Sequence, residues 1–201
     1  MKTLLCVAAL TAAFSLPSNS QTTVATSGAA NEWQVDGVHS SVLFKIKHAS
    51  AAWFYGMFAN VTGTIVFDAS KPEASSVAIE IGAESVQTRD EKRDQHLCGP
   101  DFLDSKQFPK ITFTSSAWKP SGSDFEVVGE LELRGVKKPV TAIVTPTGTG
   151  EFYGKRAGFE ATFVIKRSDF GMDYGVAKKV LGDEVHMTVA IEAVQAEAKK
   201  Q

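Results

Sequence analysis

From residue 42 onward, apolar and polar side chains alternate along much of the chain. Val42, Phe44, Ile46 and His48 point one way, and Leu43, Lys45 and Lys47 the other. Val61, Gly63, Ile65 and Phe67 repeat the pattern, followed by Val77, Ile79 and Ile81 and then by Ile111, Phe113 and Ser115. The longest run is Phe125, Val127, Gly129, Leu131 and Leu133, set against Glu126, Val128, Glu130 and Glu132. Val140, Ala142 and Val144, then Phe159, Ala161, Phe163 and Ile165, then Val185, Met187, Val189 and Ile191 complete the series. A period of two is the mark of a strand with one buried face. About eight such strands between turn signals predict an all-β antiparallel barrel or sandwich. A closed barrel of eight strands holds side chains or one small ligand. Gly63 and Gly129 on the inward faces would leave room inside.

The alternation fails between Thr88 and Gln107. Arg89, Asp90, Glu91, Lys92, Arg93 and Asp94 form a run of both charge signs at three- and four-residue spacing. Such spacing suits a short solvated helix. Leu97, Phe102, Leu103 and Phe108 then return apolar groups toward the barrel. His96 is expected to pack between helix and wall, and His39 to hydrogen-bond in the turn before the first long strand.

The order of several short motifs is more specific than any one of them. Asp36-Gly37-Val38-His39-Ser40 leads into Phe44 and His48. About fifty residues later come Arg93-Asp94-Gln95-His96-Leu97 and Asp101-Phe102-Leu103-Asp104. Gly56 and Phe58, the stretch Phe108 to Ser115, the stretch Gly129 to Val140, Lys166-Arg167-Ser168-Asp169-Phe170-Gly171-Met172 and Gly182-Asp183-Glu184-Val185 complete a pattern over roughly residues 33–194. This pattern resembles the YceI-like polyisoprenoid-binding family, whose members are lipocalin-like barrels around a long apolar ligand. Cys98 and Lys137 depart from it.

The resemblance implies a carrier, store or sensor with an isoprenoid lipid held inside the barrel, a polyprenyl phosphate, a polyprenyl pyrophosphate or a quinone tail, and no other cofactor. The expected cavity wall is Val42, Phe44 and Ile46 on the first long strand, Phe58 and Phe102 at the ends, and Phe108, Phe113, Val127, Leu131, Phe163, Phe170 and Val189. At the mouth, His48, Arg89, Arg93, His96, Arg134 and Arg167 are candidates for a headgroup or for surface ion pairs. The resemblance also implies a homodimer, near whose axis Cys98 could lie. The rival readings are a carrier of straight-chain fatty acids or amides, a structural or stress-response interaction protein whose interior is filled by its own Phe side chains, and an enzyme.

Composition sharpens this choice. Phe occurs thirteen times, against three each for Trp and Tyr. Phe offers apolar area with no polar atom to satisfy, which suits a wall facing hydrocarbon. No HExxH, CxxC or His-x-His motif marks a metal site. No G-x-S-x-G elbow marks a nucleophile, and Gly148-Thr149-Gly150 lacks the Lys-Ser/Thr of a phosphate loop. The formal charge of −2, without a basic stripe, argues against nucleic acid. Lys2, the apolar run Leu4–Leu10 and the small residues Ser18 and Ser20 predict a secretory signal over 1–20, cleaved before Gln21, hence a periplasmic or secreted protein. The run is too short to span a bilayer, and Leu5 before Cys6 is too bulky for lipidation. Residues 21–32 read as an unstructured lead-in, 33–195 as the barrel and 196–201 as a polar tail. Cys98 would be the mature chain's lone thiol.

Overall fold

The computed structural model describes residues 31–196. The expected signal over 1–20, with Cys6, most of the lead-in and most of the tail lie outside the described residues. Eleven strands and one α-helix follow in chain order: β1 (Glu32–Val35), β2 (Ser41–His48), β3 (Ala52–Phe58), β4 (Val61–Val66), β5 (Ser76–Gly82), β6 (Val86–Gln87), α1 (Glu91–Leu97), β7 (Lys110–Ser121), β8 (Asp124–Leu133), β9 (Val136–Glu151), β10 (Lys155–Lys166) and β11 (Leu181–Gln195). All pairings are antiparallel, and the order β1-β4-β5-β7-β8-β9-β10-β11 returns to β1 as a closed eight-stranded barrel. The alternation read from the sequence is the alternation between core and solvent. Val42, Val127 and Val189 are buried, as are Ile65, Leu131 and Ile165.

The barrel is closed differently at its two ends. β11 pairs with β1 only near its C-terminus, from Ala193 to Gln195. Its earlier part, from Leu181 to Ala190, pairs with β2. Beyond β2 the sheet continues to β3 and β6 rather than back to β5. One end is therefore a complete ring. At the other, β2, β3 and β6 splay away, and α1 with residues 98–108 fills the gap. Asp90 caps α1, its carboxylate accepting from the Arg93 amide at 2.9 Å. Side-chain oxygens at this position satisfy an amide left free by helix geometry.

The ringed end is closely packed by aromatic rings. Phe67 sits among Trp118, Phe125 and Phe159, with ring centroids 5.2–5.8 Å apart. Tilted and edge-to-face contacts at this range add to area burial. The two glycines expected to leave room leave none. A Cβ at Gly63 would lie 2.3 Å from the Ala78 carbonyl oxygen, and one at Gly129 would lie 2.4 Å from the Phe113 ring. Their missing side chains let neighbouring strands and one ring approach.

An ion-paired hub ties the break between β1 and β2 to the wall. Arg156 donates to Asp36 at 2.9 Å and also pairs with Glu192. Asp36 further accepts from His39 at 2.8 Å, the turn bond expected of that histidine. The Arg156 guanidinium, then His39, hold the Asp36 carboxyl well below the usual carboxylate range. Asp36, His39 and Glu192 converge within 4.8 Å, and the two carboxylates share this guanidinium.

Candidate functional site

The open end encloses a cavity of about 500 Å³, within the range of small-molecule pockets. A smaller void of about 80 Å³ lies below it. Ile81, Ile111, Leu131, Phe163 and Val189 line both and so form the shelf between them.

Most of the wall expected from the sequence is here. Phe44, Ile46, Phe58, Phe102, Leu131, Phe163 and Val189 line the main cavity. Phe113 and Val127 line the smaller one. Three expected residues do not face either. Val42 is fully buried in the strand-packed core. Phe170 is buried beneath the 3-10 turn Arg167–Phe170. Phe108 packs on the turn between β8 and β9, where a Cβ at Gly135 would be 2.6 Å from its ring. Each is apolar and placed near the cavity in sequence, yet each spends its apolar area on protein.

Phe54, Tyr174 and Val180 line the cavity and were not singled out. β3 is apolar on both faces, with Trp53, Tyr55 and Met57 outside and Phe54, Gly56 and Phe58 inside, so no period two marks it. Phe44 reaches across β3 to cover Gly56, where a Cβ would meet its ring at 2.3 Å. Ile165, Val185 and Met187 also line the wall, and the alternation had already placed them on inward faces.

Four of the six mouth candidates converge. Arg93, His96, Arg167 and His48 all line the main cavity. Arg93 donates from Nε to the Thr88 hydroxyl at 2.7 Å and from Nη2 to the Thr88 carbonyl at 2.6 Å. Its guanidinium lies 4.6 Å above the Phe54 ring. The Thr88 hydroxyl in turn donates to Asp94. His96 bonds through Nε2 to the Asp101 carboxylate at 2.8 Å and stands edge-on to Phe102 and Tyr174, both centroids 5.1 Å away.

Arg167 is the least solvated of the group, only 2% exposed. It donates to the carbonyls of Gly182 (2.8 Å), Met172 (2.6 Å) and Tyr174 (2.8 Å), fastening residues 172–182 over the cavity. Burial lowers its pKa, while Asp183 and Asp173 oppose that shift. Ion pairs were one expectation for the arginines. Among the described residues, neither Arg93 nor Arg167 has a carboxylate within 4 Å, and no Asp or Glu lines the cavity.

The other two candidates are elsewhere. Arg89 is exposed, with a positive φ of 67°, in the turn before α1. Arg134 donates to the carbonyls of Gly171 and Pro100, each at 2.7 Å, and clips two covering segments together from outside the cavity. Cys98 ends α1 half-buried, with Sγ 3.9 Å from the Glu84 carbonyl.

No helix among the described residues is long and apolar enough to cross a membrane. The family model of the YceI-like domain matches residues 33–193. Protein YceI of Salmonella newport is 41% identical over 175 residues, 84% of this chain and 90% of its own length. Protein YceI of Escherichia coli O17:K52:H18 is 40% identical with the same coverage. The crystal structure of Burkholderia cenocepacia BcnA superposes with a TM-score of 0.73 at 29% identity, over 80% of this chain and 99% of that one. A polyisoprenoid binding domain from Saccharophagus degradans, implicated in plant cell wall breakdown, has a TM-score of 0.64 at 16% identity over 82% of this chain and 98% of that one, a likeness of fold. With its closed antiparallel barrel, its motifs in order and a family match across the whole barrel, the chain belongs to the YceI-like family.

Proposed function

We propose that the protein binds a long isoprenoid lipid, its tail in the main cavity and its head among Arg93, His96 and Arg167, and that it acts as a non-catalytic carrier or store outside the cytoplasm. The apolar cavity carries this reading. Each methylene buried there contributes roughly 0.8 kcal/mol, so ten carbons contribute about 8 kcal/mol gross. That exceeds the lower estimates of association cost, about 4 kcal/mol, so the tail alone supplies useful affinity. The solved Saccharophagus degradans domain, named for polyisoprenoid binding, supports the same class.

The polar groups favour an acidic head, phosphate or pyrophosphate, over a neutral quinone. Two guanidiniums face a cavity that no carboxylate lines. Arg167 is buried, with Asp183 and Asp173 acting on it through space, whereas Arg93 is exposed at the rim; an anionic head would pair with both. Solvent extraction of the folded protein followed by mass spectrometry tests the proposal. A prenyl phosphate or pyrophosphate is the expected species. A straight-chain fatty acid or amide would move the protein to another ligand class, and an extract without lipid would reject lipid carriage. Osmotic-shock fractionation tests the compartment.

A further inference from the structure

The cavity opens beneath a lip made of two segments. One is the β2–β3 hairpin, and the other runs from Tyr174 to Gly182. They meet where the Ala49 amide donates to the Val180 carbonyl at 2.8 Å. Tyr174 and Val180 line the cavity and are nonetheless 49% and 44% exposed, which locates the opening. On the hairpin, Ile46, His48 and Phe54 face the cavity, whereas Lys45, Lys47, Trp53 and Tyr55 alternate with them and face outward.

The lip has a distinct composition. Residues 45–55 and 174–182 contain four lysines, Lys45, Lys47, Lys178 and Lys179, and no Asp or Glu, in a chain whose formal charge is −2. Asp173 precedes the second segment and Asp183 and Glu184 follow it in sequence, with Asp183 taken by the Ser168 amide and hydroxyl. Trp53 is 40% exposed. The Lys45 and Lys47 amines lie 4.9 and 4.5 Å from its ring, and the His186 ring meets it edge-on at 5.0 Å. Exposed Trp and Tyr beside lysines that, among the described residues, have no carboxylate within 4 Å match a phospholipid interface, where aromatic rings sit among headgroups and lysines are drawn to anionic lipid. Another exposed aromatic pair among the described residues, Phe152 and Tyr153 at the tip between β9 and β10, is at the ringed end, flanked by one Glu and one Lys. It has neither the lysine excess nor the opening.

We propose that this lip seats the cavity mouth on an anionic phospholipid surface, so that a tail passes between bilayer and cavity without crossing water. The transfer role rests on the lipid-binding reading above; the surface contact itself does not.

Co-sedimentation of the purified protein with phosphatidylcholine vesicles, with and without phosphatidylglycerol, tests the contact. Binding is expected only with phosphatidylglycerol and should fall with salt. Each lysine lost should weaken it roughly fivefold, so Lys45→Gln/Lys47→Gln and Lys178→Gln/Lys179→Gln should each weaken it roughly 25-fold. Brominated lipid should quench part of the tryptophan emission, and Trp53→Phe should remove that part while Trp33 and Trp118 continue to emit. Phe163→Asp, placed in the cavity wall, should lose co-purified lipid yet still sediment with the vesicles, which separates the two readings. The proposal is overturned by absent binding, by binding that both lysine pairs survive, or by binding lost in Phe152→Ser/Tyr153→Ser instead. A dimer that dissociates on Trp53→Ser would also overturn it, making the lip a contact between copies.

Discussion

Phenylalanine does opposite work at the two ends of this barrel. At the ringed end, Phe67, Phe125 and Phe159 close on one another and on Trp118 and leave only the small void that Trp118 and Phe159 help to line. At the splayed end, Phe44, Phe54, Phe58, Phe102 and Phe163 surround a cavity. The side chains are the same, and the strand pairing differs. Where β1 joins β11 to β4, opposite walls are close enough for rings to meet. Where β2 leads to β3 and β6, the walls part, and rings of the same size span only part of the gap. A self-filled core and an open apolar cavity therefore coexist in one interior.

This contrast can be broken by mutation. Phe163→Asp, at the shelf between the two voids, is expected to abolish lipid retention, because a carboxylate would face hydrocarbon. Lipid still extracted from the folded variant would mean that the ligand does not reach the shelf. Phe159→Ala at the packed end should cost about 3–5 kcal/mol of stability, the usual penalty for emptying a tight aromatic site. Its folded fraction should retain lipid normally. Urea titration and extraction, run in parallel, check both halves.

A smaller effect would sharpen the account of the mouth. Arg93→Gln should weaken a prenyl phosphate by about 2 kcal/mol, one charged hydrogen bond, and leave a prenyl quinone unchanged. Equal loss for both heads would make Arg93 a brace for Thr88 and Phe54 rather than a head ligand.

The smallest effect belongs to the hub at the ringed end. The Asp36 carboxyl is held below its ordinary range by Arg156 and His39. A depressed carboxylate contributes stability above its unfolded pKa, near pH 4, and loses it as pH falls toward the folded value. Wild type should therefore exceed Asp36→Asn in stability at neutral pH, and the gap should shrink progressively below about pH 4. A gap independent of pH would assign the effect to lost hydrogen bonds alone.

Much of the barrel was legible because one of its faces is wet. Val127, Leu131 and Phe163 could be placed inward from alternation alone. β3 was hidden because Trp53 and Tyr55 are apolar on its outer face. β1 and β6 are too short to show a period. For the site, alternation reports which face a residue takes but not its height along the barrel axis. Val42 and Phe113 are both inward, yet one packs against strands and the other borders the lower void. Phe108, Phe170, Arg89 and Arg134 lie in turns, where no period applies. The sequence places Phe108 and Phe170 in the wall and Arg89 and Arg134 at the mouth, and only the tertiary structure separates the clips, such as Arg134, from the groups that face the cavity.

Because β11 carries β1 and β2 end to end along one edge, the link between them is not needed to hold either in place. β1 is bonded to β4 and β11, and β2 to β3 and β11. The intervening Val38 is 87% exposed, and exposed loop tips tolerate cutting. The molecule is divisible at that point: a peptide ending at Val38 and a chain beginning at His39 should reassemble into one barrel. The severed strand would then report barrel closure by its own release.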